Sequence, residues 1–341
     1  MAHNISERNG KAQMAYTGEQ PWHGLGTRVD GLQTAESILV AAGLDWTVST
    51  RPMFHGTVPN RLQDVPDHVA IVRDGDDTVF GVASKRYQIV QNAQVGDLGQ
   101  ALMNEGACFE VAGALGNGSK LWLLAKLPGE FEVIKGDMVK PYFLLAWGHD
   151  GKHGIAGKLT PVRVVCQNTL AAAGFGKGKW SRSADIYIRH YGNPTVNLSS
   201  AREALGLVMT QAERTRDAYQ AMAQYRITSG HVAEYIHNVF PEPEVPTGTS
   251  DLTAIEAALM RYEKWETLTD EVIGLANHGR GADMARGTLW GAYNAVTEYV
   301  DHVYPVLSTG KVSAARQESA LFGTYAEVKT RALDTALAMV G

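Results

Sequence analysis

Residues 108–128 read CFEVAGALGNGSKLWLLAKLP. Two apolar, strand-favouring runs flank Gly116-Asn117-Gly118-Ser119, a tight-turn signal, so an antiparallel hairpin is predicted here. The next stretch, EFEVIKGDMVKPYFLLAWGHDGKHGIAGKL (130–159), repeats the pattern with turns at 135–137 and 149–152. Strands this closely spaced leave no room for crossover helices, so the sheet is an antiparallel meander.

Working outward, TAESILVAAG (34–43) predicts a helix with Thr34 as N-cap and Gly43 as the stop. LDWTVSTRPMF (44–54) predicts a strand, and HVAIVRDGDDTVFGVASKRYQIV (68–90) a hairpin about residues 74–77. NAQVGDLGQALMNEG (92–106) predicts a helix capped by Asn92. Thr160 followed by Pro161 reads as an N-cap with proline in the first turn, predicting a helix over 161–173. A glycine-rich loop, GFGKGKWSRS (174–183), and a strand, ADIYIRHYG (184–192), follow. From residue 199 onward every segment is amphipathic at helical spacing, with PEPEVPTGTS (241–250) as a loop. The fold class expected is α+β: an antiparallel meander packed with helices over 1–195, then an all-helical region over 196–341.

Hydrophobic content of 45% with 20% charged residues places the chain among globular proteins, and 341 residues suffice for about two domains. No apolar run is long enough to span a bilayer, and MAHNISERNGKAQMAYTG lacks the apolar centre of a secretion signal. Two cysteines, Cys108 and Cys166, form no disulfide framework, so a reducing, cytoplasmic location is expected.

Net charge is −5, but it is unevenly spread: −5 over residues 1–119, +6 over 120–189 and −6 over 190–341. A basic centre between acidic flanks points to a localised anion-binding face. Its residues are Lys85, Arg86 and Tyr87 after a predicted strand, Lys120, Lys152 and Lys158 in the meander, and Arg163, Gln167 and Asn168 on the predicted helix. Lys177, Lys179, Trp180 and Arg182 complete it in the glycine-rich loop. Cations hold phosphates by displacing counterions, and aromatic rings stack on unpaired bases, so this set fits single-stranded nucleic acid. No cofactor and no metal is expected.

Catalytic patterns are weak by comparison. Cys166 shares its predicted helix face with Val162, Val165, Thr169 and Ala173, an apolar stripe typical of a core cysteine. His149 and His153 fall in HDGKH, which reads as a solvated hairpin tip. GALGNGSK (113–120) has the wrong order for a phosphate loop and joins two strands. A hydrolase built on Cys166 or on His149 and His153 therefore ranks last, and no enzyme is expected.

PWHGLGTRV (21–29), SKRYQIVQN (84–92), TPVRVVCQNTL (160–170) and WGAYNAVTEYVDH (290–302) together resemble the phage/plasmid-like proteins of unknown function, the domain-of-unknown-function family nine hundred and thirty-two. A fainter resemblance links Gly43-Leu44-Asp45-Trp46 and the meander that follows to ring-forming single-strand DNA annealing proteins. That resemblance implies a β-β-β-α core with a basic groove, here drawn from residues 120–173. It implies a phage or plasmid protein that binds and anneals single-stranded DNA in recombination or replication. The partners implied are DNA, further copies in a ring or filament, and a host or phage replication protein. The alternative is an accessory or counter-defence module whose acidic helical half binds a protein.

Overall fold

The computed structural model describes residues 5–18, 24–56, 62–104, 106–163, 184–192, 208–244, 251–303 and 324–341, with Ala101, Arg163, Met209, Thr324, Tyr325 and Ala326 described by their backbone alone. The strands are β1 Glu7–Arg8, β2 Lys11–Ala12, β3 Met14–Tyr16, β4 Thr27–Arg28, β5 Val48–His55, β6 Gln63–Arg73 and β7 Val79–Ser84. They continue as β8 Cys108–Leu115, β9 Lys120–Lys126, β10 Phe131–Ile134, β11 Asp137–Gly148, β12 Ile155–Arg163 and β13 Ile186–Ile188. The helices are α1 Ala35–Ala41, α2 Asn92–Met103, α3 Val208–Gln224, α4 Ser229–Val239, α5 Leu252–His278, α6 Ala282–Ala285, α7 Leu289–Glu298 and α8 Thr324–Val340. The architecture is α+β, with antiparallel sheets and an all-helical C-terminal region.

The main sheet runs β13-β12-β11-β9-β8-β3-β4, with β10 pairing on β11, and only β3–β4 is parallel. The hairpin predicted over 108–128 is its centre: Leu115 lies opposite Lys120 across the Gly116–Ser119 turn. Alternation gives the sheet two apolar faces. Phe143, Leu145 and Trp147 pack with α1 and α2, whereas Tyr142, Leu144 and Ala146 pack with Trp122, Met14 and Tyr16. The second sheet, β5-β6-β7, joins the first cluster through Val48, Ile71 and Phe80.

The C-terminal helices share a third cluster that also takes in Phe131, Val133 and Val139 from β10 and β11. Two directed bonds fix this union: the Trp290 indole N–H donates to Asp137 at 2.9 Å, and the Tyr235 hydroxyl to the Ala332 carbonyl at 2.9 Å. Among the described residues, no helix is long and apolar enough to cross a membrane.

Two expectations are corrected. The helix expected over 161–173 does not begin at Thr160-Pro161, because β12 continues through Arg163, which lies opposite Val139 on β11. Pro161 faces Pro141 across this ladder. Two prolines cannot exchange N–H···O bonds, so they occupy a non-hydrogen-bonded pair. The nitrogen of Pro161 then points to the far edge, where, among the described residues, only 155–157 are paired, with β13. Residues 164–173 lie outside the described set. The second correction concerns α2, whose N-cap is Gln91: its backbone N–H donates to Gln94 Oε1 at 2.8 Å, while its side chain is held by the Val48 backbone, accepting at 3.0 Å and donating at 2.9 Å. Asn92 instead turns into the core.

Candidate nucleic-acid interface

The site forms where three separate stretches of chain meet: the end of β7, the β11–β12 hairpin and the end of β13. Glycines bring them together. A Cβ on Gly81 would overlap the Asp150 carbonyl, and one on Gly151 would lie 2.6 Å from the Val82 carbonyl. A Cβ on Gly154 would likewise overlap the Ile188 carbonyl. Backbone therefore packs on backbone, which only glycine permits. HDGKH is accordingly not a solvated tip: His149 is fully buried and Asp150 half-buried, and only Lys152 is exposed.

Beneath the surface lies a hydrogen-bonded bed centred on Asn92. Its amide nitrogen donates to the carbonyls of Leu44 and Trp46, at 2.9 and 3.2 Å. Its oxygen accepts from the Trp147 indole and from His149 Nε2, each at 2.9 Å. This assigns His149 the Nε2–H tautomer, leaving Nδ1 a buried acceptor with no partner among the described residues. Burial pushes the His149 imidazole down to about 3, helped by neighbouring His190 and opposed by Asp150. His190 is also lowered by burial; its Nδ1 is 3.0 Å from the Gln88 carbonyl and its ring stacks on Tyr87 at 4.7 Å.

The Arg73 guanidinium lies 5.4 Å from the centres of both the Trp46 and Phe80 rings and donates to Asp76. The hairpin is braced from within. Asp150 accepts from the backbone of Lys152 and His153 at 2.9 and 3.0 Å, and from His153 Nδ1 at 2.6 Å. Burial raises the Asp150 carboxyl, but these bonds and the His153 charge outweigh it and hold it at about 2. His149 and His153 thus turn away from each other, one to Asn92 and the other to Asp150.

Over this bed lie Lys85 and Arg86 from the β7 turn, Lys152 from the hairpin and Arg189 from β13's end, all exposed. Among the described residues none of the four makes an ion pair. The turn is closed by the Lys85 N–H bond to Asp67 O at 3.0 Å, and Gln88 N–H donates to His190 O at 2.7 Å. Lys120 opens β9 opposite Gly148, at the same end of the sheet, and is half-buried.

The rest of the predicted set divides. Tyr87 is buried against His190, so it presents no face to a base. Lys158 is half-buried on β12; burial lowers its ammonium against the pull of Asp185, and Lys329 and Asp334 of α8 act on it too. It therefore looks toward the helical region rather than toward Lys152. Arg163 ends the same strand, about 26 Å from the hairpin at the usual rise per residue. Cys166, Gln167, Asn168, Lys177, Lys179, Trp180 and Arg182 lie outside the described residues. Of the predicted cations that are described, Lys85, Arg86 and Lys152 come to the hairpin end, with Lys120 nearby. Arg189 escaped the sequence reading. Strand alternation in IYIRH, which buries Ile188 and His190, was the available signal.

Fold and site together define an α+β protein that carries a cationic patch on a buried polar bed. The chain matches the family model described as Domain of unknown function (DUF932) over residues 79–322 and belongs to that family. The matched region begins at β7 and so takes in all four cations. No curated protein matches the chain, and no solved structure does.

Proposed function

We propose that this protein binds single-stranded DNA through Lys85, Arg86, Lys152 and Arg189, and anneals complementary strands for a phage or plasmid without catalysing a chemical step. One observation carries the reading: four exposed cations without acidic partners among the described residues, drawn from three chain segments onto one braced edge. A polyanion is the ligand such a surface stabilises best. The resemblance at Gly43–Trp46 supports annealing in particular. Screening phosphate repulsion while leaving bases unstacked lets two strands pair, with no cofactor required.

Fluorescence anisotropy with a labelled single-stranded oligonucleotide tests the binding. Four phosphate contacts on a single strand give a log–log salt slope of about −3, so affinity should fall roughly fiftyfold between 50 and 200 mM salt. Reversing all four charges to Glu should abolish binding for every sequence alike. Salt-independent binding, or none at low salt, refutes the proposal.

A protein-binding role has one specific observation in its favour. Leu252, Leu259 and Met260 on α5 are 73%, 51% and 58% exposed, beside Glu256 and Glu263. Under that reading, Leu259→Asp with Met260→Asp would impair function while the Lys85–Arg189 patch tolerated charge reversal.

A further inference from the structure

Beyond β7 the second sheet loses its third strand. β6 pairs with β7 only over His68–Val72, while β5 and β6 continue together to His55 and Gln63. The resulting two-stranded arm is exposed along Thr50–Pro52, Phe54–Gly56, Leu62–Asp64 and Pro66–His68. It bends where four residues, Val65–His68, are accommodated between the pairs Pro52↔Val69 and Phe54↔Asp64, with Asp67 at φ 60°. A two-stranded ribbon is marginal in water. This one nevertheless carries Phe54 at 54% and Leu62 at 65% exposure. Long apolar side chains on an open ribbon mark a surface that is covered in the working protein.

The charge of the arm selects the kind of cover. Residues 51–69 hold two arginines and two aspartates, so the arm is neutral and offers phosphates no net attraction. Arg51 is already taken by Asp77 at 2.7 Å. Asp64 makes no ion pair among the described residues.

The same chain holds a matching surface. A groove of about 390 Å³ lies between β10, the end of α3 and α6, lined by Val133, Ile134, Ala223, Met284 and Thr288, with Arg226 beside them. The volume admits an aromatic side chain. Arg226 is exposed and makes no ion pair among the described residues. The register of the arm supplies the fit. Phe54 and Asp64 are directly opposite each other, so their side chains share one face of the ribbon. A phenyl ring seated in the groove would bring the Asp64 carboxylate to its rim, where the Arg226 guanidinium stands.

We propose that the β5–β6 arm of one copy docks Phe54 into the β10–α3–α6 groove of a second copy, with Asp64 pairing Arg226. The two patches are different surfaces of one chain, so the contact is heterologous and joins copies head to tail. It is independent of the nucleic-acid reading, because it involves neither the cationic edge nor DNA.

Light scattering after gel filtration, without DNA and over a wide concentration range, tests it. The wild type should exceed the mass of a single chain. Phe54→Asp should weaken association by at least about thirtyfold, as expected of an aromatic anchor. Asp64→Arg and Arg226→Asp should each weaken it about tenfold, and the double variant should restore it to within about threefold. All three positions are exposed, and recovery in the double variant cannot come from misfolding. A wild type with single-chain mass throughout overturns the proposal. So does an assembly indifferent to Phe54→Asp, or single charge reversals that the exchange fails to rescue.

Discussion

Lowering the pH from 8 to 5 is expected to cost the fold about 2 kcal/mol through His149 alone. In the folded chain burial holds this imidazole at about 3, against an ordinary value of 6.5. Between those two values the unfolded chain binds a proton that the folded chain refuses, so stability is complete above the ordinary value and falls as the pH falls. At pH 5 the interval below 6.5 is about 1.5 pH units, each worth about 1.4 kcal/mol, which gives about 2 kcal/mol. The loss saturates only near pH 3. Carboxylates do not confuse this window: Asp150 at about 2 stabilises above the ordinary aspartate range, and its contribution is lost only at pH values more acidic than 5.

His149→Gln isolates the effect, since the glutamine amide can still donate to Asn92 but does not titrate. Urea unfolding at pH 8 and pH 5 should show the wild type losing about 2 kcal/mol more than the variant. The burial of His190 acts in the same direction and is present in both proteins. Equal losses in the two proteins would refute the buried, neutral assignment of His149 and with it the polar bed beneath the cations.

Further outcomes follow from individual contacts. Gly81→Ala drives a methyl group into the Asp150 carbonyl, and should destabilise by about 1–3 kcal/mol while speeding amide exchange across residues 148–154. Gly274→Ala, near the C-terminal end of α5 with nothing within 4 Å, should stabilise by about 0.5–1 kcal/mol in thermal unfolding. Asp301, on the π-helical turn Tyr299–Val303, accepts from Lys329 at 2.9 Å with side-chain exposures of 0% and 6%. Asp301→Ala should cost about 3–5 kcal/mol, because Lys329 is left charged and buried; Asp301→Leu with Lys329→Met should recover most of it.

Much of the layout was legible because its causes are local. Gly116–Ser119 turns the chain wherever it is placed, and Thr34 with Ser37 caps α1 through bonds three residues apart. Asn92 misled for the opposite reason. It is a strong capping residue, yet its side chain bonds to carbonyls at Leu44 and Trp46, so Gln91 takes the cap. Thr160-Pro161 is a helix start by local rules. A nine-residue ladder to β11 overrides it.

What the sequence alone determined is the class of the fold, the hairpin at the centre of the main sheet and the helical C-terminal region, together with a family membership spread over four motifs. Periodicity and turn chemistry act within a few residues, so they survive without knowledge of contacts. Only the tertiary structure decided which cations stand together. The segments that carry Lys85, Lys152 and Arg189 are far apart in sequence and meet because Gly81, Gly151 and Gly154 let backbones touch. Lys158 and Arg163, much nearer to Lys152 along the chain, go elsewhere because a strand alternates its faces and carries its far end away. Burial made His149 of HDGKH part of the core for the same reason: Gly151, which reads as solvent, is what allows close approach.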